Sequence, residues 1–281
     1  NLTSKSGIIG PITSMTLQAQ VLRSQGIDVE LRWISIPPDL AIDPALPPFA
    51  LAGTEVLQVP ASALGRIYEV YVALPRGYAT SGKRYPVLYV TDANYAFPLI
   101  RAIATRVDDH GVGLEDFILV GLSYAVGEAG ASSRNRDYTS TRGGTNREDT
   151  YGQADAYLNY LRKEVLPTVE KRYRIDATWR IYVGHSYGAM LGIRVLLTQP
   201  ELFSHYILGS PSLWYDDHQA FAAEREYATR HKAMPARVRM YVGGYEQPKR
   251  DAPRRTRERD LVADMDRFVK QVKGHHYQGL D

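Results

Sequence analysis

One pentapeptide constrains this chain more than any other feature: Gly184-His185-Ser186-Tyr187-Gly188. It follows directly on Arg180-Ile181-Tyr182-Val183, which reads as a buried strand, and precedes Ala189-Met190-Leu191-Gly192, which reads as a helix start. Gly-x-Ser-x-Gly at a strand-to-helix junction has a steric reason. A serine at the tip of so tight a turn needs neighbours without bulk, and Gly184 and Gly188 supply the clearance. The turn lifts the Ser186 hydroxyl above the sheet edge, and the helix presents its positive N-terminus to charge developing nearby. The five-residue pattern alone recurs by chance. The strand before it, the helix after it and the small residues Ala189 and Gly192 make Ser186 a candidate nucleophile.

From residue 54 onward the chain alternates strand and helix signals. Residues 54–59 and 66–74 read as two strands joined by a turn. The second sets Ile67, Glu69 and Tyr71 on one face and Tyr68, Val70 and Val72 on the other. Residues 86–91 and 117–122 are continuous apolar runs, the mark of strands covered on both faces. Further strands are expected at 180–184, 206–208 and 238–242, and helices at 97–107, 154–173, 188–198 and 256–273. Tyr157, Leu161, Val165 and Val169 share one side of the 154–173 helix, which Pro167 is expected to kink. Leu261, Met265, Phe268 and Val272 form the inward stripe of the last helix. This rhythm predicts an α/β fold, a mainly parallel sheet with helices on both faces. The polar, glycine-rich stretch 127–152 has no apolar period and reads as a long loop.

The first fifty-two residues differ. Residues 14–25 read as a short helix stopped by Gly26, and 29–34 as a strand. Pro37, Pro38, Pro44, Pro47 and Pro48 continue neither. Residues 1–52 are therefore read as an N-terminal extension with a stiff connector, and 53–281 as one domain.

Composition removes several classes of function. The absence of cysteine excludes disulfide frameworks, cysteine nucleophiles and thiolate zinc sites. The seven histidines show no His-x-x-x-His spacing, so no metal is expected, nor any cofactor. A formal charge of +3 does not announce nucleic acid. No apolar run reaches the ~18 residues of a membrane span. Asn1 opens the chain without a signal-peptide pattern, which leaves the compartment open, cytoplasmic or exported after processing. The uneven run Lys249, Arg250, Arg254, Arg255, Arg257 and Arg259 is either a solvated loop or an electropositive wall for an anionic substrate.

Several blocks in order resemble a known family. They are Arg66-Ile-Tyr-Glu-Val-Tyr-Val-Ala-Leu-Pro75, Tyr85-Pro-Val-Leu-Tyr-Val-Thr-Asp92, Arg134-Asn-Arg-Asp-Tyr-Thr139, Glu164-Val-Leu-Pro167 with Tyr173-Arg174, and the Ser186 pentapeptide. Over residues 54–281 the chain resembles the esterase D-like, or enterochelin-esterase-like, branch of the α/β-hydrolases. The resemblance implies a serine carboxylic-ester hydrolase that forms an acyl-enzyme and takes a small-molecule ester. Siderophore trilactones and other aromatic esters are within its range.

A hydrolase of this kind needs donors for an oxyanion. The Tyr187 N–H is one, and Ala93 or Asn94, in the stretch after the 86–91 strand, is the other; a plain turn is the competing reading there. The resemblance puts the acid at Glu246, after the 238–242 strand, unless Glu246 is only a surface loop residue. The base histidine should follow one more strand. His275 and His276 come too early, in what looks like the turn into that strand, so the final strand, histidine loop and closing helix are expected to be missing from this chain; otherwise one of these two must fold back. Near the site mouth, Arg134, Arg136, Arg142 and Arg147 suit an anionic planar substrate, and Trp214 an aromatic pocket. Arg136 and Asp137 are equally read as a structural ion pair. Two rivals remain: an acyltransferase using the same serine, and a hydrolase-fold protein that binds without turnover.

Overall fold

The chain divides into two units, Asn1–Ala50 and Leu51–Asp281. The computed structural model describes residues 20–24, 27–31, 50–109, 113–143, 151–248 and 259–281. In the first unit, β1 (Gln20–Ser24) pairs antiparallel with β2 (Ile27–Leu31), Ser24 opposite Ile27. The helix expected over 14–25 is thus corrected at 20–24. Ladder pairing with a neighbouring segment overrides a weak local helix preference. Residues 14–19 and the proline-dense stretch 37–48 lie outside the described residues.

The second unit is organised on eight strands. They are β3 (Thr54–Ala61), β4 (Arg66–Ala73), β5 (Tyr85–Val90), β6 (Ile118–Ala125), β7 (Ile175–His185), β8 (His205–Gly209), β9 (Ala233–Tyr241) and β10 (Gln278–Leu280). Their order is β10-β9-β8-β7-β5-β6-β4-β3. Pairing is parallel from β10 through β6 and antiparallel from β6 to β3. The continuous apolar runs are explained by this placement. In β5, Val87 and Tyr89 enter one core cluster while Val90 enters a second; in β6, Ile118, Val120 and Leu122 join the first and Leu119 the second. Both faces are covered, so both sets of alternate residues must be apolar.

Helix α1 (Ala93–Asp109) covers one face, packing Ala93 and Phe97 on Val90 and Leu119. It begins at Ala93, ahead of the expected start at 97, and contains Pro98. The stretch expected as a loop contains α2 (Gly130–Tyr138), a correction with a clear cause. Its buried residues Ser133, Arg136, Asp137 and Tyr138 are mostly polar and are satisfied by one another, so no apolar period betrays the helix.

The helix expected over 154–173 consists of α3 (Ala154–Tyr160), a π turn (Leu161–Val165) and α4 (Leu166–Arg172). Pro167 has no N–H to give to the preceding turn, and the wider π turn lies just ahead of it. Tyr157, Leu161, Val165 and Val169 are all buried, on the side read from the sequence. After β7 comes α5 (Tyr187–Leu196); between β8 and β9 lies α6 (Tyr215–Arg230), which has no clear apolar stripe and was not anticipated. Helix α7 (Leu261–Gly274) leads through His275 and His276 into β10, which corrects the expectation that the strand after that turn is missing: Gln278–Leu280 pairs parallel with β9. Among the described residues no helix is long and apolar enough to cross a membrane.

Candidate active site

The strand-to-helix turn read from the sequence is present between β7 and α5. Ser186 stands at its tip with φ 57° and ψ −116°, a strained conformation for a residue with a Cβ. Backbone bonds hold it there: Ser186 N–H donates to Gly209 O at 2.9 Å, and Met190 N–H donates to Ser186 O at 3.1 Å. A Cβ at position 184 would lie 2.4 Å from Gly188 O, and one at 188 would lie 2.3 Å from Thr91 Oγ1. The two glycines are therefore required by the turn itself and by the segment after β5 that lies on it. Ser186 is half-buried, and its Oγ lies 3.0 Å from Ser212 Oγ.

Two helix N-termini meet at this point. Tyr187 opens α5, while Ala93 and Asn94 open α1; the two latter residues belong to a first helical turn rather than to a loop. First-turn N–H groups have no acceptor within their own helix. Asp92, buried at φ 56°, ties the two helix starts together. Its carboxylate accepts from Arg134 Nε at 2.8 Å, Arg134 Nη2 at 3.2 Å and Tyr124 Oη at 2.7 Å. Arg134 Nη2 also donates to His185 O at 3.2 Å, and its guanidinium lies 5.2 Å from the centre of the Tyr187 ring. Burial is the largest single effect and acts against the Arg134 charge, but the hydrogen bond to Asp92, the Asp92 charge and the neighbouring tyrosines together outweigh it and raise the pKa. Burial also raises the Tyr124 and Tyr138 hydroxyls, so both are neutral donors or acceptors around neutral pH.

On the far side of β7, the loop Ser210-Pro211-Ser212 leaves β8 toward the same turn. Ser210 has φ 42°; its N–H donates to Tyr241 O at 2.7 Å and its Oγ to Glu246 Oε1 at 2.5 Å. Gly243 N–H donates to the same Glu246 oxygen at 3.1 Å. Glu246 is thus fixed after β9 as a half-buried, hydrogen-bonded carboxylate. One short loop links it to the neighbour of Ser186. Sequence reading missed Ser210 and Ser212. A usable signal was present: two hydroxyls directly after a parallel strand, at the carboxyl edge where open α/β sheets place their sites.

No described histidine hydrogen-bonds Ser186. His185 is exposed; His205 Nδ1 lies 2.9 Å from Ser204 Oγ with its ring stacked on Trp179. His218 Nε2 is 3.1 Å from Asp264 Oδ1, and His231 Nδ1 is 3.2 Å from Tyr227 O. His275 faces the buried Glu224 at 3.5 Å, and His276 stands in the turn after α7 at φ 50°. His110 lies outside the described residues, as do Arg147 and the basic run 249–258.

Arg136 is corrected from substrate contact to structural ion pair. It is buried and donates to Asp137 at 2.9 and 3.1 Å, to Tyr68 Oη at 3.4 Å, and to Glu128. Removing one partner of so enclosed a pair strands the other. Arg136→Ala is expected to cost about 3–5 kcal/mol of stability, because Asp137 loses its counter-charge in the interior. Urea denaturation measures this, and a midpoint equal to wild type would return Arg136 to the substrate contacts. Trp214, by contrast, does border the site. Its ring centre is 6.2 Å from that of Tyr187, and the Arg259 guanidinium lies 3.6 Å from the Trp214 ring centre. Tyr215 packs edge-on against Tyr187 at 5.4 Å and stacks with Tyr151 at 6.3 Å.

A largely parallel sheet with a strained serine at a strand-to-helix turn defines an α/β-hydrolase. The chain belongs to the Esterase family, whose model, described as "Putative esterase", matches residues 61–280. It is similar to the ferri-bacillibactin esterase BesA of Bacillus subtilis, 28% identical over 179 residues that cover 60% of this chain and 61% of that protein. It is also similar to the siderophore triacetylfusarinine C esterase of Aspergillus fumigatus, 28% identical over 169 residues, covering 58% and 57%. The chain therefore spans about three fifths of the length of these curated relatives. Among solved structures, the siderophore hydrolase EstB from Aspergillus nidulans superposes with a TM-score of 0.70 at 20% identity, covering 85% of this chain and 88% of that one. At that identity the likeness speaks for the fold. Together the relatives place the chain in the enterochelin-esterase-like branch.

Proposed function

We propose that this protein hydrolyses carboxylic esters through a covalent acyl-enzyme on Ser186, with siderophore trilactones or other aromatic esters as its substrates. The observation that carries the reading is the strained Ser186, held at the junction of β7 and α5 with the start of α1 beside it. Strain of this kind persists only where surrounding structure enforces it, and it fits a nucleophile that must project from a turn.

In the proposed reaction, Ser186 Oγ attacks the ester carbonyl carbon as a histidine takes its proton. Negative charge moves to the carbonyl oxygen, where the Tyr187 N–H and the Ala93 or Asn94 N–H receive it. Collapse breaks the bond to the alcohol, which leaves with the proton from the histidine. Water then attacks the acyl-enzyme, the acid departs and Ser186 regains its proton. Glu246 is proposed to orient the histidine and stabilise its cation. Because no described histidine bonds Ser186, the base is left to a histidine that reaches Ser186 and Glu246 together.

The substrate assignment rests on two supports. Tyr187, Trp214 and Tyr215 form an aromatic wall beside the serine, with the Arg259 guanidinium over the Trp214 ring. A guanidinium held over an aromatic ring offers its charge and its N–H groups to a planar anion. The substrates in the relatives' names give the second. Cleavage of a ferric catecholate trilactone, followed by product separation, tests the assignment directly. Turnover of p-nitrophenyl butyrate without cleavage of the trilactone would keep the reaction class and discard this substrate. Transfer of the acyl group to an added alcohol in preference to water would point to an acyltransferase.

A further inference from the structure

We infer that Ser212 is a positioning residue for the nucleophile: its hydroxyl fixes the Ser186 Oγ rotamer and directs the Ser186 proton toward the base. The inference rests on the reading of Ser186 as the nucleophile. The two oxygens are 3.0 Å apart, and Ser212 is 2% exposed. Its loop is fixed from both sides. Ser210 is bonded to Tyr241 O and to Glu246, Leu213 N–H donates to Pro211 O at 2.8 Å, and Tyr215 N–H donates to Ser212 O at 2.9 Å. The start of the same loop is tied to the elbow, because Gly209 O accepts the Ser186 N–H. The Ser212 oxygen is therefore held relative to the nucleophile by backbone bonds and not by its own side chain alone.

Each hydroxyl has one proton and two lone pairs, so the bond has two directions. Only one is compatible with catalysis. If Ser186 donated to Ser212, its proton would face away from a base. If Ser212 donates, the Ser186 proton is free for the histidine and a second Ser186 lone pair is free for the carbonyl carbon. This direction also survives acylation. The acylated Ser186 Oγ is an ester oxygen that accepts but cannot donate, and the Ser212 proton stays on Ser212 throughout. A serine side chain without this bond spreads over three staggered wells.

The test is the rate at which a fluorophosphonate labels the full chain, which reads Ser186 reactivity without substrate binding or deacylation. Losing a hydrogen bond of ordinary net strength, about 1 kcal/mol, converts to about a 5-fold slower labelling of Ser212→Ala. The p-nitrophenyl butyrate kcat should fall by the same factor with KM unchanged. Ser212→Thr, which keeps the hydroxyl, should label within about 2-fold of wild type, a margin well inside that one lost bond. Wild-type labelling of Ser212→Ala would overturn the inference. So would equal slowing of the Ala and Thr variants, because that result assigns Ser212 to packing. Ser186→Ala is the control: if it labels like wild type, the nucleophile reading fails first and takes this inference with it.

Discussion

Ser186→Ala is expected to lower kcat for p-nitrophenyl butyrate by about 10⁶-fold, as removal of a triad nucleophile does in other serine hydrolases. The fold should survive. The backbone bonds that hold position 186, from its N–H to Gly209 O and from Met190 N–H to its O, do not involve the side chain. An alanine carries the same Cβ through the same φ of 57°, so the strain is neither relieved nor increased. Only the hydroxyl's bond to Ser212 disappears, at a cost of about 1 kcal/mol. A residual rate of about 10³-fold above that in water is expected, because the proposed oxyanion donors are backbone groups that the substitution leaves in place. The measurement is turnover at matched protein concentration, with thermal melting as the fold control. Equal turnover by wild type and variant would move the chemistry away from the β7–α5 turn. Tight binding of a ferric catecholate by both proteins, with turnover by neither, would mark a binding protein on a hydrolase fold.

The sequence was most legible where steric demand is local. Gly184 and Gly188 announced the turn because nothing larger fits against Gly188 O and Thr91 Oγ1, and that demand is the same at the sequence level and in three dimensions. The buried strands were readable for a similar reason: both faces of β5 and β6 are covered, so Val87, Tyr89, Ile118, Val120 and Leu122 answer to one core while Leu88, Val90 and Leu119 answer to the other. Legibility failed where polar groups satisfy one another over long distances. Helix α2 buries Arg136 and Asp137 against Tyr68, 69 residues away in sequence from Asp137, and its stretch reads as loop by composition. The same holds within the site. Asp92 and Arg134 are separated by 42 residues and Ser186 and Ser212 by 26, and no local pattern joins either pair. Ala93 and Asn94 lie in the first turn of α1, which starts four residues ahead of the position 97 that the sequence suggests.

Glu246→Gln is the substitution that separates the acid's role from its place in the loop. Glutamine keeps the length and one carbonyl oxygen, so the bonds from Ser210 Oγ and Gly243 N–H, now at 2.5 and 3.1 Å, can both be kept. What changes is charge and one acceptor. A neutral amide cannot stabilise a histidine cation, and its NH₂ group favours the wrong ring tautomer. The expected loss is about 10⁴-fold in kcat, the size seen when a triad carboxylate is replaced by its amide, with KM nearly unchanged. Fluorophosphonate labelling should slow in parallel, since both reactions need the serine proton removed. Glu246→Ala provides the contrast, because it removes the acceptor from Ser210 as well and loosens the loop that carries Ser212. It is expected to melt earlier than Glu246→Gln. If Glu246→Gln instead turns over within 10-fold of wild type, about 1.4 kcal/mol, Glu246 is a brace for Ser210 and the reaction runs on a Ser–His pair without a carboxylate. If Glu246→Gln melts as early as Glu246→Ala, the carboxylate charge, and not the acceptor geometry alone, holds the loop after β9.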